Sequence, residues 1–130
     1  MSEQLPNQTP GFDALYGLEL TEWSEEVARG RVRVRDELRQ GGPVHGGVYG
    51  AIADALAVRG TGAGVVHQGK LAVGLANQTT VLHQVEQGTI QATATCRHRG
   101  RTTWVWEVEM ADDGGRVCAV GRVTVAVRDR

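Results

Sequence analysis

The residue types best suited to chemistry fall in one stretch, Val44 to Asp54, which reads V-H-G-G-V-Y-G-A-I-A-D. Asp54 interrupts an otherwise apolar run, Ala51-Ile52-Ala53-Asp54-Ala55-Leu56-Ala57-Val58. A helix that is apolar all round is buried on most sides. Aspartate is a poor helix former, and here it stands too far from the helix start to cap it. A carboxylate in such a place costs desolvation free energy unless something uses or satisfies it, and local inconsistencies of this kind mark functional positions. The plain alternative is that Asp54 bonds a backbone group or pairs with an arginine.

His45-Gly46-Gly47 stands where that helix begins. Free N–H groups at a helix N-terminus, with no Cβ in the way, can approach an oxygen that gains negative charge, which is what an oxyanion hole requires. Otherwise the glycines only make a tight turn and His45 caps the helix. Gly46 and Asp54 are eight residues apart, or about 12 Å along a helix. One chain cannot bring both to the same carbonyl. Two antiparallel copies of the helix about a two-fold axis can, so if both groups are catalytic the protein is at least a dimer with shared sites.

Around this helix the pattern is mostly extended. Phe12, Leu15 and Tyr16 fall at helical spacing, and Gly17 ends that short helix. In Val27 to Arg35, Ala28, Gly30, Val32 and Val34 alternate with Arg29, Arg31, Arg33 and Arg35, a strand with one buried face and one solvated arginine face. Arg39 to Gly47 is a glycine-rich loop, and Gly60 to Gly64 (GTGAG) is expected to stop the apolar helix. Strand patterns then cover Val73 to Val85, Gly88 to Arg99, Thr102 to Met110 and Val117 to Arg128, with a hairpin turn at Asp112-Asp113-Gly114-Gly115. A short helix, one or two strands, one apolar helix and four strands give an α+β chain whose antiparallel sheet wraps that helix.

At 130 residues the chain is the size of one domain, with Met1 to Pro10 read as a loose tail. Its 14 Lys+Arg against 15 Asp+Glu leave no general attraction for nucleic acid or an anionic membrane. No apolar run is long enough for a membrane span, and the polar N-terminus lacks the apolar core of a signal peptide. Cys96 and Cys118 form no C-x-x-C pair and are expected as small buried side chains in a reducing cytoplasm.

The Val44–Asp54 motif resembles the central-helix motif of hotdog-fold thioesterases, nearest to the phenylacetyl-CoA and hydroxybenzoyl-CoA thioesterase family. VGLANQTTVLHQV (73–85) and RGRTTWVWEVEM (99–110) are similar to later strands of that family, so the resemblance spans nearly the whole chain. It implies an acyl-CoA substrate, with Asp54 as nucleophile or general base, Gly46 and Gly47 amides polarising the thioester carbonyl, and His45 shaping the loop. No metal or redox cofactor is needed. The family often has Gln or Asn at the position of Arg39; here the amide is one residue later, at Gln40. A hydroxyl found in some members one turn after the acid is Val58 here, which leaves Asn77, Thr79 and Thr61 as candidates to position water. Arg97, Arg99 and Arg101 cluster around Gly100, with Thr102 and Thr103 following, and form either a solvated strand end or a clamp for the phosphates of CoA, where arginine offers bidentate geometry.

Trp104 and Trp106 suit an acyl pocket or the core equally, and His67, His83 and His98 share no metal-ligand spacing. Thioester hydrolysis is therefore the leading expectation. The rivals are a hotdog hydroxyacyl-CoA dehydratase or hydratase and a non-catalytic acyl-CoA-binding module.

Overall fold

The computed structural model describes residues 11–130; the tail expected over Met1 to Pro10 lies outside them. The elements are α1 (Phe12–Leu15), β1 (Glu19–Trp23), β2 (Val27–Arg33), α2 (Gly46–Val65), β3 (Lys70–Val81), β4 (Thr89–Arg99), β5 (Thr103–Ala111) and β6 (Val117–Asp129), with 3-10 turns at Asp36–Leu38 and Val66–Gln68. The strands form one six-stranded sheet in the order β1-β2-β4-β5-β6-β3, antiparallel at every junction. Tyr49, Ile52, Ala53, Leu56 and Ala57 of α2 are buried against Ala28, Val32, Ile90, Trp106, Val108, Met110, Val123 and Val125 of the sheet.

The alternation in β2 has the expected cause: Ala28, Gly30 and Val32 are buried, while Arg29 pairs with Glu22 and Arg31 with Glu19 across the β1 ladder. The helix differs from expectation. Gly60 to Gly64 do not stop it; α2 runs through them to Val65. Two tryptophans of β5 explain the glycines. A Cβ on Gly60 would lie 2.2 Å from Trp106 Cη2, and one on Gly64 2.5 Å from Trp104 Cη2. Thr61 between them is fully buried; its Oγ1 donates to Ala57 O and accepts from Trp106 Nε1, both at 2.9 Å. Both tryptophans are thus core residues that fasten the sheet to the helix.

The strand expected over Val73 to Val85 begins earlier, at Lys70, and ends at Val81. Beyond it the Leu82 and His83 N–H groups both turn to Cys118 O, and Val85 is buried in the connection. Cys118 is buried as expected, but Cys96 is only half-buried, where a register irregularity separates it from His98. Among the described residues no helix is long and apolar enough to cross a membrane, and no group of three or more His, Cys, Asp and Glu could hold a metal.

Candidate active site

The loop before α2 is tied down by its backbone. The N–H groups of Gln40, Val44 and His45 donate to Pro43 O, Val85 O and Leu38 O, each at 2.8 Å. Gly41 and Gly42 take φ of 67° and 118°, conformations that L side chains rarely adopt. His45 then leaves the loop in an extended conformation and caps the helix: its Nδ1 accepts the Gly47 N–H at 2.8 Å. Val48 N–H closes on His45 O at 3.0 Å. Among the described residues this leaves the Gly46 N–H without an acceptor, on an exposed turn with the helix dipole behind it.

Asp54 lies further along the same face of α2. Gly47, Ala51, Asp54 and Val58 recur at helical spacing, and the last three are half-buried. Gly74 of β3 faces the carboxylate. Among the described residues Asp54 makes neither an ion pair nor a side-chain hydrogen bond. Burial, and then the charge of Asp13, push its carboxyl above the usual range. Asp13 is held by Tyr16, whose hydroxyl donates to Asp13 Oδ1 at 2.9 Å. The Tyr16 ring is only 5% exposed, and burial, the Asp13 charge and bond, and Asp54 all push its hydroxyl upward, so it remains a donor.

Beside the helix start is a groove of about 430 Å³ between α1 and α2, lined by Phe12, Leu15, Leu38, Gln40, Val48 and Ala51, with His45 and Gly47 at its edge. Gln40 thus shares a surface with the capped turn. Asn77 fastens β3 to the first turns of α2 through Nδ2 to Gly50 O at 2.9 Å, and Thr79 Oγ1 donates to Asn77 Oδ1 at 2.7 Å. Thr61 faces away from this side into the core.

Arg99, Gly100, Arg101 and Thr102 form the β4–β5 connection at the other end of α2. There Arg99, Gly100 and Arg101 border a cavity of about 310 Å³ with Gly64, Gln68 and Lys70. Arg99 lies 5.4 Å over the Trp104 ring and donates to Glu25 O at 3.2 Å. Arg101 is exposed and makes no ion pair among the described residues. Arg97 is paired instead with Glu107 on the outer sheet face. One chain therefore holds three separate groups: the capped turn, Asp54 mid-helix, and the arginine connection.

Gly74, Asp13 and Tyr16 were not evident as site residues in the sequence. A lone glycine inside a strand pattern does mark a close approach, which is the signal at Gly74.

Residues 41–119 match the thioesterase superfamily. A Mycobacterium tuberculosis protein provisionally named an esterase is 38% identical over 120 residues, covering 90% of this chain and 86% of its own length. The 1,4-dihydroxy-2-naphthoyl-CoA hydrolase of Listeria monocytogenes is 27% identical over 92% of this chain and 98% of its own. Among solved structures, a thioesterase of Haemophilus influenzae superposes with a TM-score of 0.83 at 27% identity, covering 89% of this chain and 81% of that one.

Proposed function

We propose, for a chain that belongs to the thioesterase superfamily and has the hotdog fold, that it hydrolyses acyl-CoA-type thioesters at sites shared between two subunits. One observation carries the reading. Asp54, a half-buried carboxylate with no ion pair or side-chain hydrogen bond among the described residues, stands about 12 Å along the same helix from the open amide of Gly46.

The thioester carbonyl oxygen rests at the Gly46 N–H of one subunit, where the helix N-terminus stabilises charge developing on it. Gly47 contributes through the His45 cap, which holds the turn in place. Asp54 of the partner subunit then either takes a proton from a water that attacks the carbonyl carbon, or attacks that carbon itself to form a mixed anhydride that water hydrolyses in a second step, the proton coming from the water in either case. The carbon–sulfur bond breaks, the acid is released, and the CoA thiolate takes the proton. Asn77 and Thr79 hold β3 against the helix and are suited to orient water, and Gln40 to contact the acyl group. Arg99 and Arg101, with Gly100 and Thr102 shaping the turn, are suited to the CoA phosphates.

The self-association has its own support. β3 is a sheet edge with one unpaired side, and Val73, Leu75 and Val81 on it are 40%, 54% and 40% exposed. Long exposed apolar edges are templates for pairing with another chain. Two cysteines without a disulfide fit a cytoplasmic setting.

The test is a panel of aryl and aliphatic acyl-CoA thioesters with free-thiol detection. Thiol release sensitive to Asp54→Asn supports the proposal. Hydration of crotonyl-CoA without thiol release favours a hydratase, and intact acyl-CoA recovered after long incubation favours a binding module.

A further inference from the structure

Strand β3 runs antiparallel along one face of α2, and three contacts mark its course. A Cβ on Gly46 would lie 3.9 Å from Val81 Cγ2, Asn77 Nδ2 donates to Gly50 O at 2.9 Å, and Gly74 faces the Asp54 carboxylate. Gly46, Gly50 and Asp54 recur every four residues and so share a helix face. Spacing alone does not give the strand a matching face. Gly74 and Asn77 are three residues apart, and successive side chains of a regular strand point to opposite sides. The β3–β6 register shift resolves the mismatch. Gly74 pairs with Val125 and Ala76 with Thr124, so Leu75 is an extra residue in β3. Such a bulge re-aims the side chains that follow it. It turns Gly74 and Asn77 to the same side, opposite the buried Val125 and Val123.

We propose that Asn77, aimed by this bulge, is a positioning residue that fixes α2 on β3 and with it the place of the Asp54 carboxylate. The inference rests on the reading of Asp54 as the reaction's base or nucleophile. Gly50 O is the acceptor of the Asp54 N–H in the helix ladder, so Asn77 holds the very carbonyl to which the Asp54 amide is bonded. Among the described residues it makes the only side-chain hydrogen bond between β3 and α2. Thr79 Oγ1 donates to Asn77 Oδ1 at 2.7 Å, which sets the amide plane with Nδ2 toward the helix. β6 leaves room for that hydroxyl: a Cβ on Gly121 would lie 2.9 Å from Thr79 Oγ1. Gly50 stands midway between the two groups of the site, with Gly46 one turn before it and Asp54 one turn after. A slide of the helix along β3 would misplace both. β3 is also the open sheet edge, so the same bond ties Asp54 to the strand through which a second subunit would join. Asn77 does this through the helix backbone, without touching substrate.

Asn77→Leu keeps the size of the side chain and removes the donor. The direct readout is the carbon-13 titration of the Asp54 carboxyl in the whole protein, its resonance identified by its loss in Asp54→Asn. A carboxylate released from its half-buried place against Gly74 titrates lower. The expected result is a lower Asp54 midpoint, a kcat reduced about 10- to 100-fold and an unchanged KM. Thr79→Val leaves Asn77 its donor and removes only the group that aims it, so it produces a smaller shift of the same sign. It carries the test should Asn77→Leu not fold. Gln78→Leu is the control. Gln78 is the next residue of β3, lies beside Glu107 and Arg122 on the outer sheet face, and should move neither midpoint nor kcat. An unmoved Asp54 midpoint in folded Asn77→Leu, or in Thr79→Val where only that variant folds, overturns the inference, as does an equal response in Gln78→Leu. A midpoint that moves while hydrolysis does not would sustain the positioning by Asn77 and instead overturn the role given to Asp54 in catalysis.

Discussion

Asp54 and Gly74 meet across the α2–β3 boundary with room for a carboxylate and nothing more: a Cβ on Gly74 would lie 2.3 Å from Asp54 Oδ1 and 3.4 Å from its carboxyl carbon. The β3–β6 register shifts between Gly74 and Ala76, directly after this contact. Gly74 has no positive φ, so the glycine is needed for space and not for backbone freedom.

Gly74→Ala follows from that contact. The Asp54 side chain can rotate away, so the cost in stability is small, but the carboxylate leaves its position. Displacing a catalytic group by about 1 Å costs on the order of 100-fold in rate. The variant should keep a Tm close to wild type while kcat/KM falls about 10- to 100-fold. A large Tm loss, or full activity, would contradict the fit described.

Asp54→Asn should separate stability from function. A carboxyl raised in the folded state binds more protons there than when unfolded, so stability is lost as pH rises from the ordinary carboxylate range through the folded value. Once ionised, the half-buried Asp54 is therefore a destabilising group, and the neutral amide relieves it. Thermal melts across pH should show the variant gaining on wild type toward neutrality, with the gap closing in strong acid. Turnover should fall about 100-fold or more. A variant less stable than wild type at pH 7 would mean that Asp54 has a stabilising partner.

The far half of α2 should respond in the opposite way. Gly60→Ala places a methyl against Trp106, and overpacking of about 1–3 kcal/mol outweighs the ~1 kcal/mol that alanine offers a helix. Thr61→Val leaves the buried Trp106 Nε1–H unpaired, at about 1–3 kcal/mol. Denaturant unfolding should show both losses, while kcat of the folded fraction stays near wild type. A selective fall in kcat for Thr61→Val would return Thr61 to the site.

His45→Ala removes the side-chain acceptor for Gly47 N–H. Loss of such a cap costs about 1 kcal/mol. Because the released turn carries Gly46, kcat should fall more than KM rises, and His45→Asn should recover part of both stability and kcat. Unchanged kcat in His45→Ala would show that the cap does not organise the amides.

Much of this was legible in the residues for a physical reason. Alternation is visible in β2 because Ala28 and Val32 pack on the helix while Arg29 and Arg31 meet glutamates in water. Asp54 stands out because a carboxylate conflicts with its apolar surroundings, and His45-Gly46-Gly47 because glycines at a helix start leave free N–H groups open to an oxygen. The length of α2 was hidden: Gly60 and Gly64 read locally as a stop, whereas their cause lies in Trp106 and Trp104, forty or more residues away. Gly74 and Asp13 were hidden likewise, since each matters through a residue on another element.

The shared site is the central claim, and subunit mixing tests it most directly. Asp54→Ala and Gly47→Val are prepared separately, each confirmed folded and inactive, then unfolded, mixed equally and refolded together. A mixed dimer holds one site with both defects and one with neither. Random pairing makes about half of the dimers mixed, so about a quarter of wild-type thioesterase activity should return. No recovery, with mixed dimers demonstrated by mass, would place both groups within one chain or remove one of them from catalysis, and would contradict the account.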